Sequence, residues 1–495
     1  MRAFAICLAV YFAALLWINL FFLPYPADND LQFMGWMAEH LRLSRPESLV
    51  SRNYPFPMGF PLLMRALTPL FGSIVRAALF CQAAASALGL LLVYAITKKI
   101  FADGRAAAAA AAAAAVANFP VAVSEFADSI SAAAILFGLW LLLDAVLSPR
   151  RHFLLGAMVG LAFLIRFHYL TFLLLIPAAL LVLRPPARAW AACCAALGAG
   201  FLLVASPLIA LNLIVYRTPL TTGLSSYIVG HNVVEAVDWN DFPATYALWP
   251  IARVLRERPL ALLRTMLQNA SSFLHAFALF TLAVTAAGMV RSVGSASASR
   301  LRHGDQRRIP GFLLIVTVGY VALNILLTRY TNRAAYPAFM FLAILAAGFG
   351  FTLQWPRQLR AAALAGIAIG VSVHAWKQVR LLEARRGEMA ENRAVQSALE
   401  AHGFRSSAEV FCNDWNVYNL GHPYLEPFYD YGGYMLLDPE YAAQRPLPRG
   451  SLPRGIRFVV LVRDRSAPGL PRPGGRKIFS DQRLDVYLAA NELHR

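Results

Sequence analysis

Charge is scarce in this chain, and acidic charge is scarcer than basic. Only 15% of its 495 residues are charged, with 27 Asp and Glu against 45 Lys and Arg, while 58% are hydrophobic. Together with a mean hydropathy of +0.53, this excludes an ordinary soluble globular protein. Cysteine is also rare. Cys7, Cys81, Cys193 and Cys194 lie in apolar stretches and Cys412 stands alone, so there is no disulfide framework and no zinc spacing. No Gly-x-x-x-x-Gly-Lys-Ser/Thr loop, no His-Glu-x-x-His and no Gly-x-Ser-x-Gly occurs, which leaves an ATP-driven pump or a zinc protease unsupported.

What the chain does have is long apolar runs with basic residues between them. The formal net charge of +18 would suit a nucleic-acid partner, but Lys98-Lys99, Arg150-Arg151 and the 300–308 cluster are each flanked by apolar segments. That distribution reports membrane orientation, and no nucleic-acid partner is expected. Stretches long enough to cross a bilayer fall at about 3–24, 74–97, 105–123, 128–147, 153–167, 169–184, 190–212, 268–290, 310–328, 334–354 and 360–377. The expectation is an all-α polytopic membrane bundle of about eleven transmembrane helices over residues 1–378. The pair 153–167 and 169–184, divided near Arg166 and His168, reads as a tight or broken pair.

Pro24-Tyr-Pro-Ala27 is a poor cleavage site, so the first apolar run is read as an uncleaved span. The basic loops then put the N-terminus inside and the C-terminal tail outside, in a bacterial cytoplasmic (inner) membrane. Two outer loops are long, about 25–73 and 216–265. The first contains Leu31–Leu43 and Phe60–Phe71, whose apolar residues recur at helical spacing and suit short interfacial helices. Beyond about Arg380 polar residues return. Glu388–His402 reads as a helix, and Glu409–Cys412, Tyr434–Leu437, Ile456–Val462 and Leu484–Ala489 read as strands. Residues 379–495 are therefore expected to form a small extracytoplasmic α/β domain.

Ionisable groups at membrane depth are costly enough to mark function by default. Asp28 and Asp30 stand where the first span ends. Two readings are open: a helix cap, or a carboxylate pair that deprotonates an acceptor or holds a divalent ion, Mg or Mn. Glu125 and Asp128 form a second outer acidic pair, again either a helix-terminal charge or part of a site. Arg166, His168, Arg329 and Arg333 place positive charge on the same side. There arginine either snorkels to headgroups or binds a lipid phosphate through its planar fork. His231, His275, His374 and His422 show no ligand spacing.

In order along the chain come an acidic pair after the first span, an interfacial helix ending near Ala38–Leu41, and the run from Tyr54, Tyr-Pro-Phe-Pro-Met-Gly-Phe-Pro-Leu-Leu. Ser124-Glu125 precedes a span, and Gly160-Leu-Ala-Phe-Leu-Ile-Arg-Phe-His-Tyr169, Pro207–Leu220, Arg333-Ala-Ala-Tyr-Pro337 and Asn413-Asp-Trp-Asn-Val-Tyr418 follow. This ordered set resembles the GT-C superfamily of polyprenyl-phosphate-sugar-dependent glycosyltransferases, including its protein mannosyltransferase and aminoarabinose transferase branches. The resemblance implies a GT-C bundle and an inverting transfer from a polyprenyl-phosphate sugar donor to a glycan, lipid or protein acceptor of the cell envelope. It also implies Asp30 as catalytic base, with Asp28 and Glu125 beside it. Arg333, Arg329, Arg166, His168, Tyr54 and Asp128 would contact substrate. The family often has its two acids adjacent, whereas Asn29 separates them here. The alternatives are a lipid-linked sugar transporter or flippase, which would favour mid-depth charges and broken helices, and a non-catalytic protein of the same fold.

Overall fold

Hydrocarbon offers no hydrogen-bond partners, so an apolar backbone crossing it must satisfy itself, and the helix is the one-segment solution. The structure, a computed structural model, describes residues 2–19, 34, 38, 57–72, 74–124, 126–216, 256–273, 276–294, 308–327, 336–352, 355–404, 410–412, 457–462, 475–482 and 484–488. Its first helices are α1 (Arg2–Trp17), α2 (Gly59–Phe71), α3 (Ile74–Phe101), α4 (Gly104–Ser124), α5 (Phe126–Leu142) and α6 (Pro149–Ile165). They are followed by α7 (Phe172–Leu180), α8 (Ala187–Tyr216), α9 (Pro259–Phe273), α10 (Ala276–Gly294), α11 (Ile309–Leu327), α12 (Tyr336–Thr352) and α13 (Arg357–Glu400). Each apolar stretch read from the sequence falls on one or two of these helices. Among the described residues three helical stretches are long and apolar enough to cross a membrane, Arg76–Phe101, Ala187–Leu211 and Arg357–Lys377, and shorter apolar helices accompany them.

The helices pack around α12, whose residues from Tyr336 through Gly350 are all buried. A helix apolar on every side belongs at the centre of a bundle. Beside it lies α4, whose alanine tract supplies the buried residues Ala106, Ala107, Ala110, Ala111 and Ala114. Its small side chains let α4 pack against both α3 and α12. Asp103 starts this helix by accepting hydrogen bonds from the backbone N–H groups of Arg105 (2.7 Å) and Ala106 (3.0 Å). The tightest approach joins α6 and α8. A Cβ on Gly156 would lie 2.0 Å from the Leu197 carbonyl oxygen, and one on Gly200 would lie 2.0 Å from that of Phe153. Reciprocal glycines of this kind let backbones approach where lipid gives no hydrophobic drive.

The expected division near Arg166 is present. α6 stops at Ile165, Arg166 is extended (φ −147°, ψ 119°), and Phe167–Thr171 forms a 3₁₀ turn before α7. α7 itself has 9 residues and passes into a second 3₁₀ turn, Leu181–Leu183. Met34 and Ala38 are helical, and the Ala38 carbonyl accepts a 3.0 Å hydrogen bond from Arg65 of α2. Met34, Ala38, Phe60 and Met64 pack with Ala127 and Ile165 in one apolar cluster. Met34, Ala38 and α2 are thereby seated on the end of the bundle where α6 stops and α5 begins.

α13 differs from expectation. Segments 360–377 and 388–402 lie on one continuous helix of 44 residues, about 66 Å long. It begins after a connection of four residues from Thr352, the end of α12, and packs against α10 and α4. Since a bilayer core is about 30 Å thick, the helix projects well beyond it. The projecting end carries the tail: Val395 and Leu399 share a core with Phe458, Val460, Leu484 and Val486. The sheet has strands β1 (Val410–Cys412), β2 (Phe458–Val462), β3 (Arg476–Ser480) and β4 (Leu484–Leu488) in the order β1-β2-β4-β3. β1 and β2 are parallel, and the β2–β4 and β4–β3 pairs are antiparallel. β3 had no counterpart among the expected strands, and the expected strand at 434–437 lies outside the described residues.

Candidate active site at one end of the bundle

Asp128 is the third residue of α5, and it is fully buried. Its Oδ2 lies 3.1 Å from an Arg166 Nη2, and its Oδ1 lies 3.8 Å from His168 Nε2. Of the three side chains, Arg166 is 7% exposed and His168 18%. A carboxylate at this depth is tolerated because a guanidinium meets it at close range. The local fold explains the meeting. Arg166 is extended, which sends the chain from α6 into the 3₁₀ turn and directs residues 166 and 168 toward the first turn of α5. Thr171 donates from Oγ1 to the His168 carbonyl at 2.8 Å and so fixes the turn.

Aromatic rings enclose the cluster. The His168 ring lies 4.5 Å from that of Tyr169 and 6.4 Å from that of Tyr320 on α11. Tyr320 also stands 5.0 Å from Phe172, and the Tyr169 hydroxyl donates to the Asp128 carbonyl at 3.3 Å. Deeper in, Gln82 donates to Ser129 Oγ at 3.0 Å, and the Ser86 hydroxyl donates to the same oxygen at 3.2 Å. The Tyr336 hydroxyl hydrogen-bonds with Ser129 and Ser86. Polar side chains from α3, α5, α12 and the 166–171 turn therefore meet within an apolar bundle, with rings of α7 and α11 against them.

The structure brings together three of the residues singled out from sequence: Asp128, Arg166 and His168. Asp28, Asp30, Tyr54, Glu125, Arg329 and Arg333 lie outside the described residues. Among the described residues, no group of three or more His, Cys, Asp or Glu side chains is placed to hold a metal. Sequence reading passed over Gln82, Ser86, Ser129 and Tyr320. Gln82 and Ser86 did leave a signal, being polar residues spaced i, i+4 in a run otherwise fit for lipid. Tyr169 and Tyr336 stand inside the motifs already quoted.

A buried carboxylate, an arginine and a histidine thus meet beside tyrosines at one end of the bundle. The whole chain also matches known architecture. The crystal structure of apo ArnT from Cupriavidus metallidurans aligns over 99% of this chain and 99% of that one, with a TM-score of 0.62 and 14% identity. The same protein bound to undecaprenyl phosphate aligns over 98% of each chain, with a TM-score of 0.61 and 13% identity. The chain has a GT-C fold. Residues 56–211 match the family model described as dolichyl-phosphate-mannose-protein mannosyltransferase, and within the GT-C bundle that stretch holds Asp128, Arg166 and His168. No curated protein matches the chain.

Proposed function

We propose that this GT-C protein is an inverting glycosyltransferase that moves a sugar from a polyprenyl-phosphate donor to an extracytoplasmic acceptor, a glycan, lipid or protein of the cell envelope. The observation that carries the reading is the buried Asp128–Arg166–His168 cluster at the end of a membrane bundle, where a lipid-borne phosphate and a water-side acceptor would meet. The match of residues 56–211 to a mannosyltransferase family supports it. Asp30 takes the proton of the acceptor hydroxyl as its oxygen attacks the anomeric carbon from the face opposite the phosphate. The bond between the anomeric carbon and the phosphate oxygen breaks, and polyprenyl phosphate leaves with the electron pair. Glu125 orients a substrate or helps to position a metal, Asp28 is the second acid of the first outer loop, and Tyr54 in that loop contacts the substrate. Arg333 and Arg329, with Arg166 and His168, stabilise the departing anion. Phosphate is a stable leaving group, so positive charge suffices without a strong general acid.

In this reading the chain crosses a bacterial inner membrane about eleven times, with the N-terminus inside. Residues 1–378 form the catalytic unit and 379–495 the outer domain. A lipid-linked sugar transporter is the second reading, and the broken segment at Arg166 is the feature that favours it. Purified protein incubated with labelled polyprenyl-phosphate hexoses separates the two. A transferase releases or transfers the sugar, whereas a transporter binds the donor and leaves it intact.

A further inference from the structure

We infer that the bundle carries a second lipid site, a cationic seat for an anionic phospholipid headgroup, at the end remote from Asp128. α5 holds Asp128 in its first turn and runs to Leu142, and α6 starts at Pro149 and stops just before Arg166. The connection between them therefore lies a full helix, about 25 Å, from the Asp128 cluster. There two cations from different helices converge on one carboxylate. Lys99, in the last turn of α3, meets Asp144 Oδ1, and Arg151, in the first turn of α6, stands 3.6 Å from Oδ2. Lys98 and Arg150, their neighbours in sequence, are exposed and have no ion-pair partner among the described residues. Asp103 is nearby at the start of α4, but its carboxylate is taken by backbone N–H groups and followed by exposed Arg105. The junction of α3, α5 and α6 thus keeps a positive excess.

The local chemistry favours an anion with apolar chains attached. Arg150 and Arg151 add cations to the N-terminal turn of α6, where the helix dipole already favours negative charge. Asp144 offsets part of that field, but its side chain is 45% exposed, so its ion pairs are weak and exchangeable. Beside the cations lies a surface for acyl chains. Trp140 stacks with Phe137, one turn nearer the middle of α5, at 5.9 Å, and Phe137 is exposed. Lys99 Nζ lies 5.2 Å over the Trp140 ring and donates to the Trp140 carbonyl at 3.2 Å. An indole and a lysine together mark headgroup depth, which leaves Phe137 at the level of the chains. Phosphate oxygens take hydrogen bonds from Lys98, Arg150 and Arg151, while the chains run along Phe137. A zwitterionic headgroup brings its own cation into the same field and gains less.

The test is lipid binding to the purified full chain in detergent, measured by native mass spectrometry with phosphatidylglycerol, phosphatidylcholine and glycerol phosphate. The wild type is expected to bind phosphatidylglycerol about tenfold more tightly than phosphatidylcholine. Glycerol phosphate, which has the charge without the chains, should bind far more weakly than either. Lys98→Gln with Arg150→Gln changes two exposed residues and should abolish most of the tenfold preference, each single change costing about threefold. The control is Arg184→Gln with Arg188→Gln. α8 runs parallel to α6, with Leu197 against Gly156 and Phe201 against Gly160, so this pair removes the same charge from the same end and should keep the preference. Asp144→Asn frees Lys99 and Arg151 and should strengthen phosphatidylglycerol binding about threefold. Equal affinity for the two lipids, or weaker binding by Asp144→Asn, would overturn the inference. Equal losses from the two arginine-containing pairs would also overturn it, by showing diffuse attraction to a basic end. Glycerol phosphate bound as tightly as the lipid would replace the lipid with a soluble anion.

Discussion

Asp128 and Arg166 show how a single residue change should behave when a charge is buried beside its partner. Replacing Arg166 with Met removes the guanidinium 3.1 Å from the carboxylate and leaves Asp128 inside the bundle without it. The expected cost is about 3–5 kcal/mol, read as a lower melting temperature in detergent. Adding Asp128→Leu removes the stranded charge and should restore most of the loss. A double variant as unstable as Arg166→Met alone would mean that the pair is not what stabilises this region. Gly59, at the start of α2, is equally constrained. A Cβ there would fall 2.4 Å from the carbonyl oxygen of Leu164, two residues before Arg166. Gly59→Ala should therefore push α2 off α6, cost about 1–3 kcal/mol and reduce turnover, while exposed Arg105→Ala should leave both unchanged.

At the scale of elements, the α6–α8 pair depends on Gly156 and Gly200, where added Cβ atoms would collide with backbone at 2.0 Å. Gly156→Val is expected to separate the helices and lower the melting temperature more than Ala157→Val, its neighbour in sequence. Equal effects would show that the close approach is not required. The helices were largely legible before the structure because lipid imposes one rule on every apolar run of sufficient length. The site was legible in part for a related reason: Asp128, Arg166 and His168 are ionisable residues in apolar surroundings, and few neutral explanations compete for them. Gln82 and Ser86 left only their i, i+4 spacing as a signal, and Tyr320 left none, since a tyrosine in an apolar run is as often an interfacial anchor. α13 hid its continuity behind the charges from Lys377 to Arg386, which interrupt the hydropathy but not the helix. β3 hid behind Gly474, Gly475, Arg476 and Lys477, which dilute its strand alternation to Ile478 and Phe479.

For the whole molecule, the end of α13 shares an apolar core with the C-terminal sheet, Arg150 lies at the start of α6 and the Asp128 cluster beyond its end, and the proposed orientation puts the sheet outside and Arg150 inside. In intact spheroplasts of a cysteine-free background, a membrane-impermeant thiol reagent should label Gln482→Cys and spare Arg150→Cys until the membrane is broken. The reverse pattern would invert the proposed orientation and put the site on the wrong face for an extracytoplasmic acceptor. The central claim is that this GT-C bundle transfers sugar from a polyprenyl phosphate with Asp30 as base. The most direct test is sugar release from labelled polyprenyl-phosphate hexoses by purified wild type and by Asp30→Asn, with melting temperature and donor binding measured on the same samples. The account predicts release by the wild type and its loss in a variant that still folds and binds donor. Equal release by both would remove Asp30 from the mechanism, and bound donor left intact by the wild type across donors and acceptors would contradict the transferase reading.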